Sequence, residues 1–575
     1  MPTGCAMDRP PQAASANTDI RNCSADPPYL PPTAINTTAR LAALRGTMRA
    51  HSVHAYIVPS TDAHMSEYIA ERDSRLGWLT GFTGSAGTVV VTWDKAALWT
   101  DSRYWIQAER QLDCNWELQR TTWIKSIGLW ILEAVPVGAN ISLDPFLFSI
   151  DAWNSYSQAL HGSGRTLLPI ETNLVDQVWG DQRPPPPSSE IYSLPAAFTG
   201  SSWQEKVAGI RQQMEQHVRR PTAVLLSGLE ETAWLFNLRG NDIPYNPVFY
   251  SYTLLTNTSI RWAASPCGHG AWTGLSNPPS LPGPAPVRPS PGPAAPLPRA
   301  HHILQCPEKL LEDSYSPVML AKAVKNAKEQ ELLRAAHVRD AVAVIQYLLW
   351  LEKMVPQGQV DEFSGAQHID VLRQSGNICA YAGAALSQFT SPLCRDGTTD
   401  ITRTMHWGVP TPLQKESYTR VLMGNIDLSR LIFPPNTAGR GVESFARRAL
   451  WNVGLNYGHG TGHGIGNFLS VHEWPVGFQS NNVPLMAGMF TSIEPGYYRD
   501  GEFGIRIEDV ALVVEAQTKV PFLTFEVVSL VPYDRNLIDL SLLSPEQVRG
   551  ARGRGAELGR GAGVQGERRG LREWV

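Results

Sequence analysis

The chain has 575 residues, of which 43% are apolar, enough to bury substantial cores in two to four domains. Its formal charge of -4 points to neither a polyanion partner nor an acidic tail. Seven scattered cysteines with no Cys-x-x-Cys pair exclude a zinc ribbon and argue against a dense disulfide scaffold. Residues 1–38 are rich in Pro and Ala and are expected to be loosely ordered. Met1 to Ile20 has no apolar h-region, no run of eighteen apolar residues exists, and Leu571 to Val575 offers no hydrophobic anchor tail. The sequons at Asn22, Asn36, Asn140 and Asn257 speak instead for a glycoprotein.

Leu41, Leu44 and Met48 lie at helical spacing. Ala55 to Pro59 reads as a strand and leads into the polar cluster Thr61-Asp62-Ala63-His64. Glycines from Gly81 to Gly87 feed strands over 88–92 and 96–101. No Gly-Lys-Ser/Thr follows them, so phosphate binding is rejected. Asp101 is expected to cap a helix that starts near Arg103.

Pro184 to Pro187 marks a boundary. A second α/β unit follows, with a helix at 203–217, a strand at 222–226, a helix at 229–237 and a strand at 248–255. Proline makes up roughly half of Pro278 to Pro298, a composition expected to be extended or disordered. Ala321 to Val355 predicts two helices or one bent helix, with His337 beside its apolar face in a structural role. Another helix is expected over Asp361 to Gln374. The segment 375–395 shows no period. Val548 to Val575 is an Arg/Gly-rich tail, too broken by acids and too poor in aromatics to indicate nucleic-acid binding.

The chemistry concentrates between Asp400 and Glu508. Asp400 opens a β-branched stretch, and His463 sits in Gly458-His-Gly-Thr-Gly-His-Gly-Ile-Gly466. Glu494 ends the strand 489–493, and Glu508 closes Phe503 to Glu508. Period-two alternation puts Arg506 and Glu508 on a polar face of an otherwise apolar strand. A buried carboxylate needs a partner or a metal, and Arg506 is the non-metal alternative for Glu508. Three carboxylates with one histidine form a hard donor set suited to Mn²⁺ or Zn²⁺. Bridging carboxylates could hold a metal pair for hydrolysis, with His459 and His472 facing substrate or carrying protons.

Asp396-Gly-Thr-Thr-Asp-Ile-Thr-Arg-Thr404, the glycine-histidine run, Glu494-Pro-Gly-Tyr-Tyr498 and Gly504-Ile-Arg-Ile-Glu-Asp509 resemble the Xaa-Pro aminopeptidases of the creatinase-like pita-bread superfamily. Asn22-Cys-Ser-Ala-Asp-Pro-Pro-Tyr, Thr61-Asp-Ala-His-Met-Ser-Glu-Tyr and Val531-Pro-Tyr-Asp-Arg-Asn resemble the membrane-bound, lipid-anchored branch. The resemblance implies an α/β (α+β) fold: two ribonuclease-H-like N-terminal domains and a pita-bread catalytic domain lacking a segment. It divides the chain into a disordered lead (1–38), a first creatinase-like domain (39–183) and a truncated second one (188–263). A Pro-rich insert (264–307), a catalytic domain (308–545, incomplete around 375–395) and a tail (546–575) follow.

The family's ligands map onto Asp400, His463, Glu494 and Glu508, with Glu494 as general base. His459, His472 and Arg506 match substrate-binding or proton-transfer positions. A homo-oligomer and peptides with proline second are implied, as is a cell-surface or extracellular place. The chain as written, without a visible leader or anchor, would be cytoplasmic. Two family residues have no match. Phe389 stands eleven positions before Asp400, where the family has its first aspartate ligand, and Gln388 lies nearest to a missing catalytic histidine. One intact metal site of the family's two, and impaired turnover, are therefore expected. The alternatives are an inactive chain acting through oligomerisation, or a prolidase-type peptidase.

Overall fold

The computed structural model describes residues 19–120, 126–264, 273–275, 315–375, 396–478, 482–499 and 501–550. Residues 1–18, most of the Pro-rich insert, the segment 376–395 with Gln388 and Phe389, and the tail from 551 lie outside the described residues. The chain forms two compact units. One comprises Met1–Pro186 with Arg499–Phe503, the other Pro187–Tyr498 with Gly504–Val575.

In the first unit β1 (Ala55–Pro59), β2 (Thr88–Thr92), β3 (Ala96–Thr100), β4 (Glu117–Arg120), β5 (Asn140–Leu143) and β6 (Thr166–Pro169) form one sheet in the order β4-β3-β2-β1-β5-β6. Alternate residues of β1 enter two different cores. Tyr56 and Val58 join Leu41, Leu44 and Met48 of the helix Thr38–Ala50, while Ala55 and Ile57 join Trp130 and Ile141. A strand covered on both faces must be apolar throughout, and all five β1 residues are buried.

Two expectations fail here. Residues 19–37 are held at defined points rather than loose, although most of their side chains are exposed. Cys23 is disulfide-bonded to Cys114, Arg21 pairs with Glu109 at 2.9 Å, and buried Thr37 donates its backbone N–H and hydroxyl to Asp113. Composition cannot reveal a bond across 91 residues, which chain entropy values at about 4–5 kcal/mol. Asp101 is not a helix cap either. The helix is Trp105–Gln111, and Asp101 instead accepts from the Arg103 backbone N–H and pairs with its guanidinium.

In the second unit, Ala223–Leu226, Ser251–Thr256, Ile260–Ala264 and Thr273–Leu275 form an antiparallel sheet. The strand expected from Val248 begins only at Ser251. Asp242 donates its N–H to Val248 O and accepts from Tyr250 N, so a turn uses the backbone groups a ladder would need. The 321–355 region resolves into Pro317–Ala323 and Ala327–Met354, separated by the Asn326–Glu329 capping box. His337 is buried in the longer helix, its Nδ1 2.7 Å from Leu333 O, as its structural reading anticipates.

The sheet that carries the chemistry has five strands. Their order is Glu473–Gly477, His463–Gly464, Phe490–Ile493, Asp509–Glu515 and Leu523–Val527. Two helices without a predicted counterpart, Pro412–Ser429 and Ser444–Trp451, cross closely in this unit. A Cβ at Gly424 would lie 2.0 Å from Ala446 O, so only glycine fits there. No helix among the described residues is long and apolar enough to cross a membrane.

Candidate metal centre

Asp400 is not on a strand. Thr402 makes a single bridge to Glu508, and side chains hold the segment in place of a ladder. Arg403 donates to Val531 O, Thr402 O and Glu508 O, and pairs with Asp509 at 2.7 Å. This fixes Asp400, which is 2% exposed, and its Oδ1 is buried without a hydrogen-bond partner.

His463 arrives on its two-residue strand between glycines that permit backbone contact. A Cβ would meet Ser492 O at 2.0 Å from Gly462 and Glu473 O at 2.3 Å from Gly464. His463 Nδ1 lies 2.9 Å from Gly464 O, so Nδ1–H donates there and Nε2 faces the carboxylates. Nε2 is 3.2 Å from Asp400 Oδ2 and 3.2 Å from Glu494 Oε1. Glu494 follows Phe490–Ile493 directly; its N–H donates to Thr461 O, and Ser492 Oγ donates to its Oε1.

Glu508 lies between Phe503–Arg506 and Asp509–Glu515, not inside a strand. Thr402 Oγ1 donates to it, while Arg506 Nε is 3.9 Å away and donates to Thr402 Oγ1 at 3.0 Å. Arg506 is thus a neighbour through Thr402 and not the tight ion-pair partner that would account for Glu508 without a metal.

The electrostatics fit a cation site. Burial and the charges of Asp400 and Glu494 push the Glu508 carboxyl well above the carboxylate range. For Glu494, burial pushes upward but is outweighed by the His463 hydrogen bond and by the charges of His463 and Arg506, which bring it down to about 2. Burial opposes protonation of His463, yet its hydrogen bonds to Asp400 and Glu494 raise it well above the ordinary histidine value. Without metal, the imidazolium supplies the positive charge that the carboxylates need. A divalent cation would supply it instead, with His463 neutral and Asp400 Oδ1 given a partner.

Ligand atoms of His463, Glu494 and Glu508 lie within 4.8 Å of one another, as do those of Asp400, His463 and His472. His463 is thus common to both groups, with Asp400 in one and Glu494 and Glu508 in the other. The structure also sets the His472 ring edge-on to His463, with centroids 4.1 Å apart. His459 stands beside them and is lowered chiefly by burial. Its Nδ1 is 2.7 Å from Gly460 O and its Nε2 is 2.7 Å from Tyr498 Oη. Tyr498, Thr402 and Arg403 are contributors that sequence reasoning did not single out. They lie inside the recognised motifs, but no spacing rule marks them.

Family models match in chain order. The Creatinase/Prolidase N-terminal domain matches over 40–178 and again over 182–265. Metallopeptidase family M24 follows over 385–515, and the C-terminal region of peptidase M24 over 521–550. Xaa-Pro aminopeptidase 2 of Rattus norvegicus and that of Homo sapiens are each 58% identical over 595 aligned residues, covering 95% of this chain and 88% of theirs. A probable Xaa-Pro aminopeptidase P of Neurospora crassa is 40% identical, covering 89% of this chain and 84% of its own. The solved X-prolyl aminopeptidase of Caenorhabditis elegans, described as a cytosolic enzyme with a di-nuclear active site, superposes with a TM-score of 0.81. It is 29% identical and covers 94% of this chain and 98% of its own. Creatinase-like N-terminal domains, an M24 catalytic region and this hard-donor centre place the chain in the M24 pita-bread metallopeptidases, where it belongs to the Xaa-Pro aminopeptidases.

Proposed function

We propose that the chain is a metal-dependent aminopeptidase that releases the residue preceding an N-terminal Xaa-Pro bond, with turnover reduced in this form. The observation that carries the reading is His463, whose Nε2 lies 3.2 Å from both Asp400 Oδ2 and Glu494 Oε1 and whose ligand atoms group with those of Glu494 and Glu508, beside a buried Asp400 Oδ1 that has no hydrogen-bond partner. These residues would hold a divalent metal, which supplies Lewis acidity and an activated water for amide hydrolysis. Mn²⁺ and Zn²⁺ both suit the donors.

The chain's own groups have distinct tasks. Glu494 is a carboxylate at neutral pH and serves as general base, accepting a proton from the nucleophilic water. His459 is kept neutral by burial, and with Nδ1–H donating to Gly460 O its Nε2 is an acceptor, which Tyr498 Oη now occupies. His472 and the Arg506 guanidinium bind the peptide. A homo-oligomer, implied by the resemblance, belongs to the same reading. The Cys23–Cys114 bond supports an extracellular or cell-surface place, because disulfides persist in oxidising compartments.

A peptide panel tests this. Peptides with proline second should be cleaved, slowly, and matched peptides with alanine second should not. Cleavage of Xaa-Pro dipeptides alone would indicate a prolidase-type enzyme. No cleavage by folded, metal-loaded protein would favour the inactive, oligomerising form.

A further inference from the structure

We propose that Arg239 is a positioning residue for the active-site histidines, holding the loop 465–471 that joins His463 to His472. Arg239 lies outside the M24 match, in the short strand Leu238–Arg239 of the second creatinase-like segment. Its guanidinium is buried, and among the described residues no carboxylate pairs with it. Backbone carbonyls take its hydrogens instead. Nε donates to Phe468 O at 2.7 Å, Nη2 to Asn467 O at 3.2 Å, and Nη1 to Ala233 O and Leu238 O. The same guanidinium lies 5.5 Å from the centroid of the Phe468 ring.

A buried cation is costly when the carboxylates whose charges reach it, Glu329 and Glu473, make no ion pair with it, and the carbonyls offset part of that cost. The loop needs such an anchor, since Phe468 holds a left-handed φ of 50° that a non-glycine residue adopts only when its surroundings enforce it. Asn246, from the same segment, donates from Nδ2 to Ser470 Oγ at 2.9 Å. Beyond the loop, Glu473 is pinned by Lys322 and Lys325. His472 lies between these two sets of anchors, with its ring 4.1 Å from that of His463. The second creatinase-like segment is thereby part of the catalytic scaffold.

The inference rests on the reading of His463 and His472 as site residues. Its test reads loop position, whatever the activity. Arg239→Met and Asn246→Ala are compared with the unaltered chain by histidine-ring ¹³C NMR in metal-free protein and by the visible spectrum of added Co²⁺. In both variants the His463 and His472 resonances should move while those of His51 and His54 stay, and the Co²⁺ bands should shift. Arg239→Lys should restore part of the change. Lower thermal stability with unmoved resonances would overturn the proposal, since a merely structural residue does that. If Arg239→Met fails to fold, Asn246→Ala alone decides. Moved resonances in a chain that cleaves no peptide would refute the peptidase reading and keep this one.

Discussion

Dialysed protein is expected to take up one tightly held equivalent of Mn²⁺ or Zn²⁺, not two, and His463→Ala should take up none. In the proposed reading Asp400, His463, Glu494 and Glu508 make up one donor set, with His463 common to the two close groups that the structure forms. A second ion would share Asp400 and Glu508 and would need a further carboxylate, but Phe389 stands where the family resemblance puts it. Two carboxylates shared with a neighbouring cation hold a second charge poorly. The bound ion should raise stability by mass action, about 4 kcal/mol at a thousandfold excess over Kd, so a chelator should lower the melting temperature.

Uptake should weaken as pH falls. Both His463 and Glu508 have raised proton affinities without metal, and each must lose its proton to ligate. Calorimetric titration with metal analysis checks the count. Two equivalents, or uptake by His463→Ala, would disprove the assignment.

Glu473→Gln is expected to destabilise the fold by about 3–5 kcal/mol, the cost of breaking a buried ion pair from one side. Glu473 is 2% exposed. Its Oε1 lies 3.1 Å from Lys322 Nζ, and Lys325 Nζ donates to its Oε2. Lys322 and Lys325 are themselves buried at 1% and 3% exposure, so the glutamine variant leaves two ammonium groups facing a neutral amide. Restoring apolar balance should recover most of the loss. Glu473→Gln combined with Lys322→Met and Lys325→Met replaces the ionic group by packing, which is often neutral or better. Urea unfolding of the three proteins decides the point. A single-variant loss below about 1 kcal/mol would mean that water reaches this cluster.

The motifs singled out the proposed ligands because metal chemistry restricts residue type and local spacing at once. Asp400, His463, Glu494 and Glu508 each stand out by carboxylate or imidazole character beside glycine or β-branched residues. Short-range periodicity likewise revealed the helix with Leu41, Leu44 and Met48 and the first strand, where local pattern and burial agree. What failed had long-range causes. The Cys23–Cys114 bond tethers part of the lead, residues 19–37, that was expected to be loose. Arg403 replaced a strand ladder around Asp400 by hydrogen bonds to carbonyls far along the sequence.

The sequence by itself determined the family and singled out the donor residues proposed for the metal, since both are written in local motifs. Tertiary structure alone decided that Asp400 is pinned without a strand and that Arg506 stands 3.9 Å from Glu508 while donating to Thr402 between them. It also showed Tyr498 on His459 and Arg239 on the loop between the histidines. Each of these depends on partners tens to hundreds of residues apart. Such contacts follow from how the whole chain satisfies its buried polar groups, a global condition that no window of sequence contains.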